Sequence, residues 1–160
     1  YERRKLKAKA QEYCGRNATR LSQELGFGTQ GIVLKTEHNT ALKVYELEKG
    51  YQREKAVYKR LHERNIFSVN RMSIPRIVHW EDDLLAFEMS IVHVPCILDF
   101  GGAYVDIAPD HFNRNEEWFT EKREEFGKHW GDAEKVIREI EFKADIILVD
   151  VNPGNIKFPP

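Results

Sequence analysis

The sequence predicts an α+β fold: a basic helix over residues 1–20, an antiparallel sheet with one helix over 21–90, and a small, mostly helical part over 91–160. Three observations predict it. A β-rich run, Leu25-Gly-Phe-Gly-Thr-Gln-Gly-Ile-Val-Leu34, is broken by glycines and followed by the alternating strand Thr40-Ala-Leu-Lys-Val-Tyr45. Helical spacing governs YQREKAVYKRLHER at 51–64 and returns at Ala133, Val136, Ile137 and Ile140. Between the two halves, residues 90–113 hold Pro95, Gly101, Gly102 and Pro109 and read as irregular.

Taken in order, residues 1–15 form a helix that Gly15 is expected to stop. The glycine-broken strand and the 40–45 strand pair, and the helix at 51–64 sets Tyr51, Lys55, Tyr58 and Leu61 near one stripe. Pro75 opens Ile77-Val-His-Trp80, and the acidic turn Glu81-Asp82-Asp83 leads into Leu84-Leu-Ala-Phe-Glu-Met89, a hairpin. A helix is expected at about 115–128, with Trp118, Phe119 and Phe126 as its apolar contacts. Asp132 is placed to cap the next helix. The chain then runs through Ile146-Ile-Leu-Val149, Asp150-Val-Asn-Pro-Gly-Asn155 and Ile156-Lys-Phe158.

Composition narrows the function. With 41% hydrophobic and 11% aromatic residues in 160, there is material for a packed core, and no run approaches a membrane span. Lys and Arg number 25 against 26 acids, a net charge of −1, which argues against a general nucleic-acid binder. The opening segment is the exception, with Arg3, Arg4, Lys5, Lys7, Lys9, Arg16 and Arg20; it reads as a solvated helix face or as a surface for an anionic partner. Only Cys14 and Cys96 are present, without metal-ligand spacing, so a reducing, cytoplasmic setting is expected and Asn17-Ala18-Thr19 reads as a chance sequon.

Gly26, Gly28 and Gly31 spell G-x-G-x-x-G. In a dinucleotide fold such glycines open a helix. Here Ile32-Val33-Leu34 continues as strand, so the pattern is either a phosphate-covering loop or a glycine-rich hairpin without a ligand. Lys43 sits in Ala-Leu-Lys-Val, and an inward lysine needs a partner because a buried charge is costly. Glu54 on the following helix can supply it, with Glu48 as the alternative; a Lys43 facing solvent from an edge strand is the other reading.

LGFGTQGIVL, ALKVY and YQREKAVYKRL, in that order, resemble the glycine loop, third-strand lysine and first helix of the protein-kinase-like superfamily. The resemblance covers residues 22–90 and, less closely, 132–158, where Asp150-Val-Asn-Pro-Gly-Asn155 is similar to the catalytic loop of Ser/Thr protein kinases and, in its Pro-Gly-Asn ending, of aminoglycoside and choline phosphotransferases. It implies a kinase-like fold with an antiparallel N-lobe and a minimal C-lobe. It also implies ATP and magnesium, with Gly26, Gly28 and Gly31 over the phosphates and Lys43 gripping them through Glu54. Phe87 becomes a gatekeeper, and Glu88, Met89 and Ser90 the hinge that contacts adenine through backbone groups. Asp150 becomes the base and a metal ligand, and Asn155 a metal ligand.

The departures are specific. Leu148 and Val149 stand where His-Arg is expected, and Asn152 where a lysine or histidine is usual. The metal aspartate of Asp-Phe-Gly should follow a further strand, past Pro160 in this spacing, so weak metal affinity and slow turnover are expected. One Asp-Phe-Gly occurs upstream, at Asp99-Phe100-Gly101; in linear order it is hinge-to-helix chain, unless the second half is arranged to bring Asp99 to the phosphates. Three functions follow: a phosphotransferase acting on a protein or small-molecule hydroxyl, a pseudokinase adapter that binds nucleotide or a protein partner without catalysis, or a kinase-like regulator whose basic N-terminal helix is the working surface.

Overall fold

The computed structural model describes all of residues 1–160. Its elements, in chain order, are α1 (Glu2–Arg16), β1 (Leu21–Phe27), β2 (Gly31–Thr36), β3 (Thr40–Tyr45), α2 (Glu48–Glu63), β4 (Ser68–Val69), β5 (Met72–Ser73), β6 (Ile77–Glu81) and β7 (Ala86–Ser90). Then come β8 (Cys96–Ile97), β9 (Ala103–Val105), α3 (Glu116–Phe126), α4 (Trp130–Ala144), β10 (Ile146–Leu148) and β11 (Ile156–Lys157). The chain is a mixed α+β protein whose main sheet is antiparallel. It divides into two units, residues 1–55 with 76–91, and residues 56–75 with 92–160.

In the first unit the sheet order is β1-β2-β3-β7-β6. Because side chains alternate along a strand, Leu42 and Val44 of β3 point to one face and Lys43 to the other. Leu6, Ala10, Tyr13 and Cys14 recur along one stripe of α1 and pack against Ile32, Leu34, Leu42, Val44 and Ala86 on the first face. Gly15 does not stop α1 as expected. The helix runs through it to Arg16, and the chain turns away at Ala18, whose φ is 50°. No helix in the chain is long and apolar enough to cross a membrane, and both cysteines are buried free thiols.

In the second unit, α4 buries Ala133, Val136, Ile137, Ile140 and Ala144, the stripe read from the sequence. Asp132 does not cap it. The helix starts earlier, at Trp130, leaving Asp132 in the first turn, where a carboxylate meets the positive end of the helix dipole. The side-chain cap is instead Asn115 of α3, whose Oδ1 accepts the Trp118 N–H at 2.9 Å. The irregular reading of 90–113 gives way to β8 and β9. Strand β8 pairs antiparallel with β11 and parallel with β5, and β9 pairs antiparallel with β10. The unit is thus less helical than expected, since two- and three-residue strands carry no period that a sequence can show.

Candidate functional site

The bend between β1 and β2 is closed by Gly28, whose N–H donates to the Gly31 carbonyl at 3.0 Å. The glycines differ in what surrounds them. At Gly31 a Cβ would lie 2.0 Å from the Val44 carbonyl oxygen of β3, so close strand packing excludes any side chain there. A Cβ at Gly26 or Gly28 would meet nothing within 4 Å. Those two glycines leave open backbone that a ligand can approach, whereas Gly31 serves the sheet.

Lys43 faces away from α1 and is only 5% exposed, and Glu54, in the second turn of α2, is 1% exposed. Lys43 Nζ lies 2.8 Å from Glu54 Oε2. Lys43 is therefore not on an edge strand, since β3 lies between β2 and β7. Glu48, the alternative partner, is exposed. The Tyr45 ring also lies beneath the ammonium, its centroid 4.9 Å from Nζ. Cross-strand register sets Val33 opposite Lys43 and Ala41 opposite Met89. Parity then gives Val33, Ala41, Phe87 and Met89 the same face as Lys43. Sequence reasoning missed Val33 and Ala41 as candidates, although two-residue spacing from Lys43 and its strand partner was the signal for both. Phe87 is fully buried, its ring 5.6 Å from Tyr45 and 6.1 Å from Tyr51.

Glu88 points the other way. Its backbone lies opposite Leu42 on one side and His79 on the other, inside the sheet. Its carboxylate sits on the α1 face, 7% exposed, and accepts from Tyr13 OH at 2.8 Å and from Thr40 Oγ1 at 2.5 Å. The expectation that Glu88 offers backbone groups to adenine meets a strand paired on both edges, and the Ser90 N–H is donated to the Arg76 carbonyl. Burial and the Glu88 carboxylate push the Tyr13 phenol far above its usual range.

In the second unit, Asp150 follows β10 and is exposed. Its N–H and that of Val149 both point to the Gly102 carbonyl, at 3.2 and 2.8 Å. Asn155 Nδ2 donates to the Asp150 carbonyl oxygen at 3.0 Å and to Oδ2 at 3.1 Å, while Asn152 Nδ2 donates to Oδ1 at 3.1 Å. Asn152 also closes the turn by accepting the Gly154 N–H at 2.8 Å. Asp150 and Asn155 are thus together, but no group of three His, Cys, Asp or Glu side chains that could hold a metal is gathered in the chain.

The upstream Asp99-Phe100-Gly101 is not hinge-to-helix chain. The Leu98 N–H donates to the Asn155 carbonyl at 2.7 Å, β8 pairs with β11, and β9 pairs with β10, so the 98–102 loop lies against the 149–155 loop from both ends. A Cβ on Gly102 would come within 2.2 Å of Asp150 Cβ, so the contact requires glycine. Phe100, 1% exposed, anchors the loop edge-on to Tyr58 of α2, centroids 5.5 Å apart. Asp99 Oδ1 accepts the Gly101 N–H at 2.6 Å. Gly102 carried no readable signal, because its partner is 48 residues away.

No protein-family model matches the chain, and no curated protein matches it. Among solved structures, the streptomycin–ATP–APH(2")-IIa ternary complex overlaps it with a TM-score of 0.41 and 16% identity, over 52% of this chain and 27% of that one. This chain spans about a quarter of that structure's length. So slight a likeness transfers neither activity nor substrate.

Proposed function

We propose that this chain is an ATP-binding, kinase-like protein that transfers the γ-phosphate to a protein or small-molecule hydroxyl. The observation that carries the reading is the buried Lys43–Glu54 ion pair, at 2.8 Å, which ties β3, the second strand after the glycine bend, to α2. A buried ion pair rarely repays its desolvation in stability alone. A use for the ammonium is an anionic ligand, and the open backbone at Gly26 and Gly28 lies at the end of β1 and in the bend that follows it. On this reading Lys43 grips the phosphates, Glu54 fixes its position, and Val33, Ala41 and Met89 form the apolar bed for a base. Met89 contributes its side chain, and the Glu88 backbone, paired on both edges of β7, contributes no contact to the base.

Asp150 is proposed to accept the proton of the substrate hydroxyl. The residues fit magnesium by donor chemistry, since it takes hard oxygens and Asp150 and Asn155 offer a carboxylate and an amide oxygen. When bound, magnesium supplies positive charge to the phosphate oxygens. Asp99 joins the set. What supports it is the strand pairing that lays the Asp-Phe-Gly loop on the 149–155 loop, so that chain order is exchanged while a second carboxylate is retained.

A pseudokinase reading has one observation in its favour: both Asp150 carboxylate oxygens already accept amide hydrogens. Thermal shift with ATP and ADP, with and without magnesium or manganese, tests binding, and ATP turnover then separates the readings. A melting curve unmoved by saturating nucleotide with metal would end the nucleotide reading, because any ligand of the native state must raise it.

A further inference from the structure

Beside its apolar stripe, helix α1 makes polar contacts at three places, each reaching a different part of the proposed nucleotide half. At its start, Arg3 and Lys7 meet Glu24 of β1 at 2.5 and 3.4 Å, two residues before Gly26. At its middle, Tyr13 OH meets Glu88 of β7 at 2.8 Å. At its end, Arg16 meets Asp83, in the turn between β6 and β7, at 2.8 Å. Three of the seven basic residues that read as a free charged surface are therefore engaged within the unit.

The middle contact is the unusual one. Glu88 is buried in an apolar layer, and the hydrogen bonds it accepts come from two neutral hydroxyls, of Tyr13 and Thr40. Thr40 Oγ1 also lies 2.5 Å from Thr36 Oγ1 at the end of β2. A buried carboxylate costs more than the apolar side chain its neighbours would accommodate. What it adds is register. Glu88 is flanked by Phe87 and Met89, which face the Lys43 side, so fixing Glu88 to α1 and to β3 fixes where those two side chains stand.

We propose that α1 is a positioning strap. Through Glu88 and Glu24 it holds β7 and the root of the glycine bend in the arrangement that receives a nucleotide. The inference rests on the nucleotide reading above for its ligand, not for its mechanics. Tyr13, Thr40 and Glu88 are positioning residues, since none of them faces the Lys43 side.

The test uses the full chain, with ATP and magnesium as the probe in calorimetry and amide hydrogen exchange on the nucleotide-free protein. Tyr13→Phe and Thr40→Val are expected to weaken ATP by about fivefold and to speed exchange across 86–90. Thr40→Ser, which keeps the hydroxyl, should restore both. Leu6→Ala removes a buried contact of the same helix away from Glu88 and Glu24, and should lower Tm while leaving ATP affinity unchanged. Should Tyr13→Phe fail to fold, Arg3→Gln with Lys7→Gln, at exposed positions, is expected to speed exchange across 21–27 and weaken ATP. Unchanged affinity and unchanged exchange in the folded variants overturn the strap. If the unaltered protein binds no ATP, the nucleotide reading falls, and exchange alone decides: faster exchange upholds the strap, unchanged exchange overturns it.

Discussion

Lys43 and Asp150, on which the proposed chemistry rests, are held in opposite ways. Lys43 is 5% exposed and fixed by a side chain on another element, Glu54. Asp150 is exposed and fixed by backbone hydrogen bonds to Gly102 and by the amides of Asn152 and Asn155, all in loops. The difference teaches where function and stability are separable. A group held by burial cannot be removed without leaving its partner's charge in the interior. One held in an exposed turn can be exchanged for an isostere while the loop persists.

The largest effect on folding is expected at the ion pair. Lys43→Met or Glu54→Gln should each destabilise by about 3–5 kcal/mol, because either leaves one charge buried without its counter-ion. The double variant should recover much of that loss in urea denaturation, as coupled pairs do. A loss under about 1 kcal/mol for either single change would mean that water reaches the pair.

Asp150→Asn should do the reverse. Stability should stay within about 0.5 kcal/mol, as at other surface sites, while ATP turnover falls by at least about 100-fold, the usual contribution of a general base. Asp99→Asn should spare the fold as well, and reduce the extra stabilisation that magnesium or manganese gives the ATP complex in thermal shift. Equal turnover before and after Asp150→Asn would collapse the contrast between the units.

A smaller effect divides the glycines. Gly31→Ala should cost about 1–3 kcal/mol by forcing a methyl into β3. Gly26→Ala and Gly28→Ala should leave urea midpoints almost unmoved and act on ATP affinity alone. If all three behave alike, the bend has no ligand to cover.

The smallest effect is pH dependence. Arg3 holds the Glu24 carboxyl below its usual range, Arg16 does the same for Asp83, and Arg60 for Asp106. A carboxyl lowered in the folded state binds fewer protons there than in the unfolded chain, so its contribution is complete above the ordinary values of 4.5 for Glu and 3.8 for Asp. It is lost as pH falls through the lowered values. Asp83 and Asp106 are exposed and Glu24 is partly so, so the acid slope should be shallow and flatten further in salt. Denaturation from pH 6 to pH 3, with Asp106→Asn beside the unaltered chain, measures one of them.

Much of the first unit was legible because it is periodic. Alternation in 40–45 and helical spacing in 51–64 marked β3 and α2, and the cost of an inward lysine pointed to a carboxylate on the next helix. The direction of Glu88 was legible in principle, since it differs in parity from Phe87, but the hydroxyl it meets belongs to Tyr13, 75 residues earlier. Strands β4, β5, β8, β9 and β11 were not legible. At two or three residues each, they have no face to bury and are defined by their partners.

By itself the sequence determined the local quantities: which stretches alternate, which repeat on a helical stripe, and that Lys43, if turned inward, would need an anion. Those follow from chain geometry and from the cost of burying charge, both of which act within a few residues. Only the tertiary structure decided which long-range partners meet. It laid the Asp99-Phe100-Gly101 loop beside the 149–155 loop, and it paired three exposed basic residues of α1 with Glu24 and Asp83. Pairing between segments tens of residues apart depends on hydrogen-bond register and on the fit of one backbone against another. At Gly102 that fit turns on a single missing Cβ, which a linear reading registers only as a glycine in a loop.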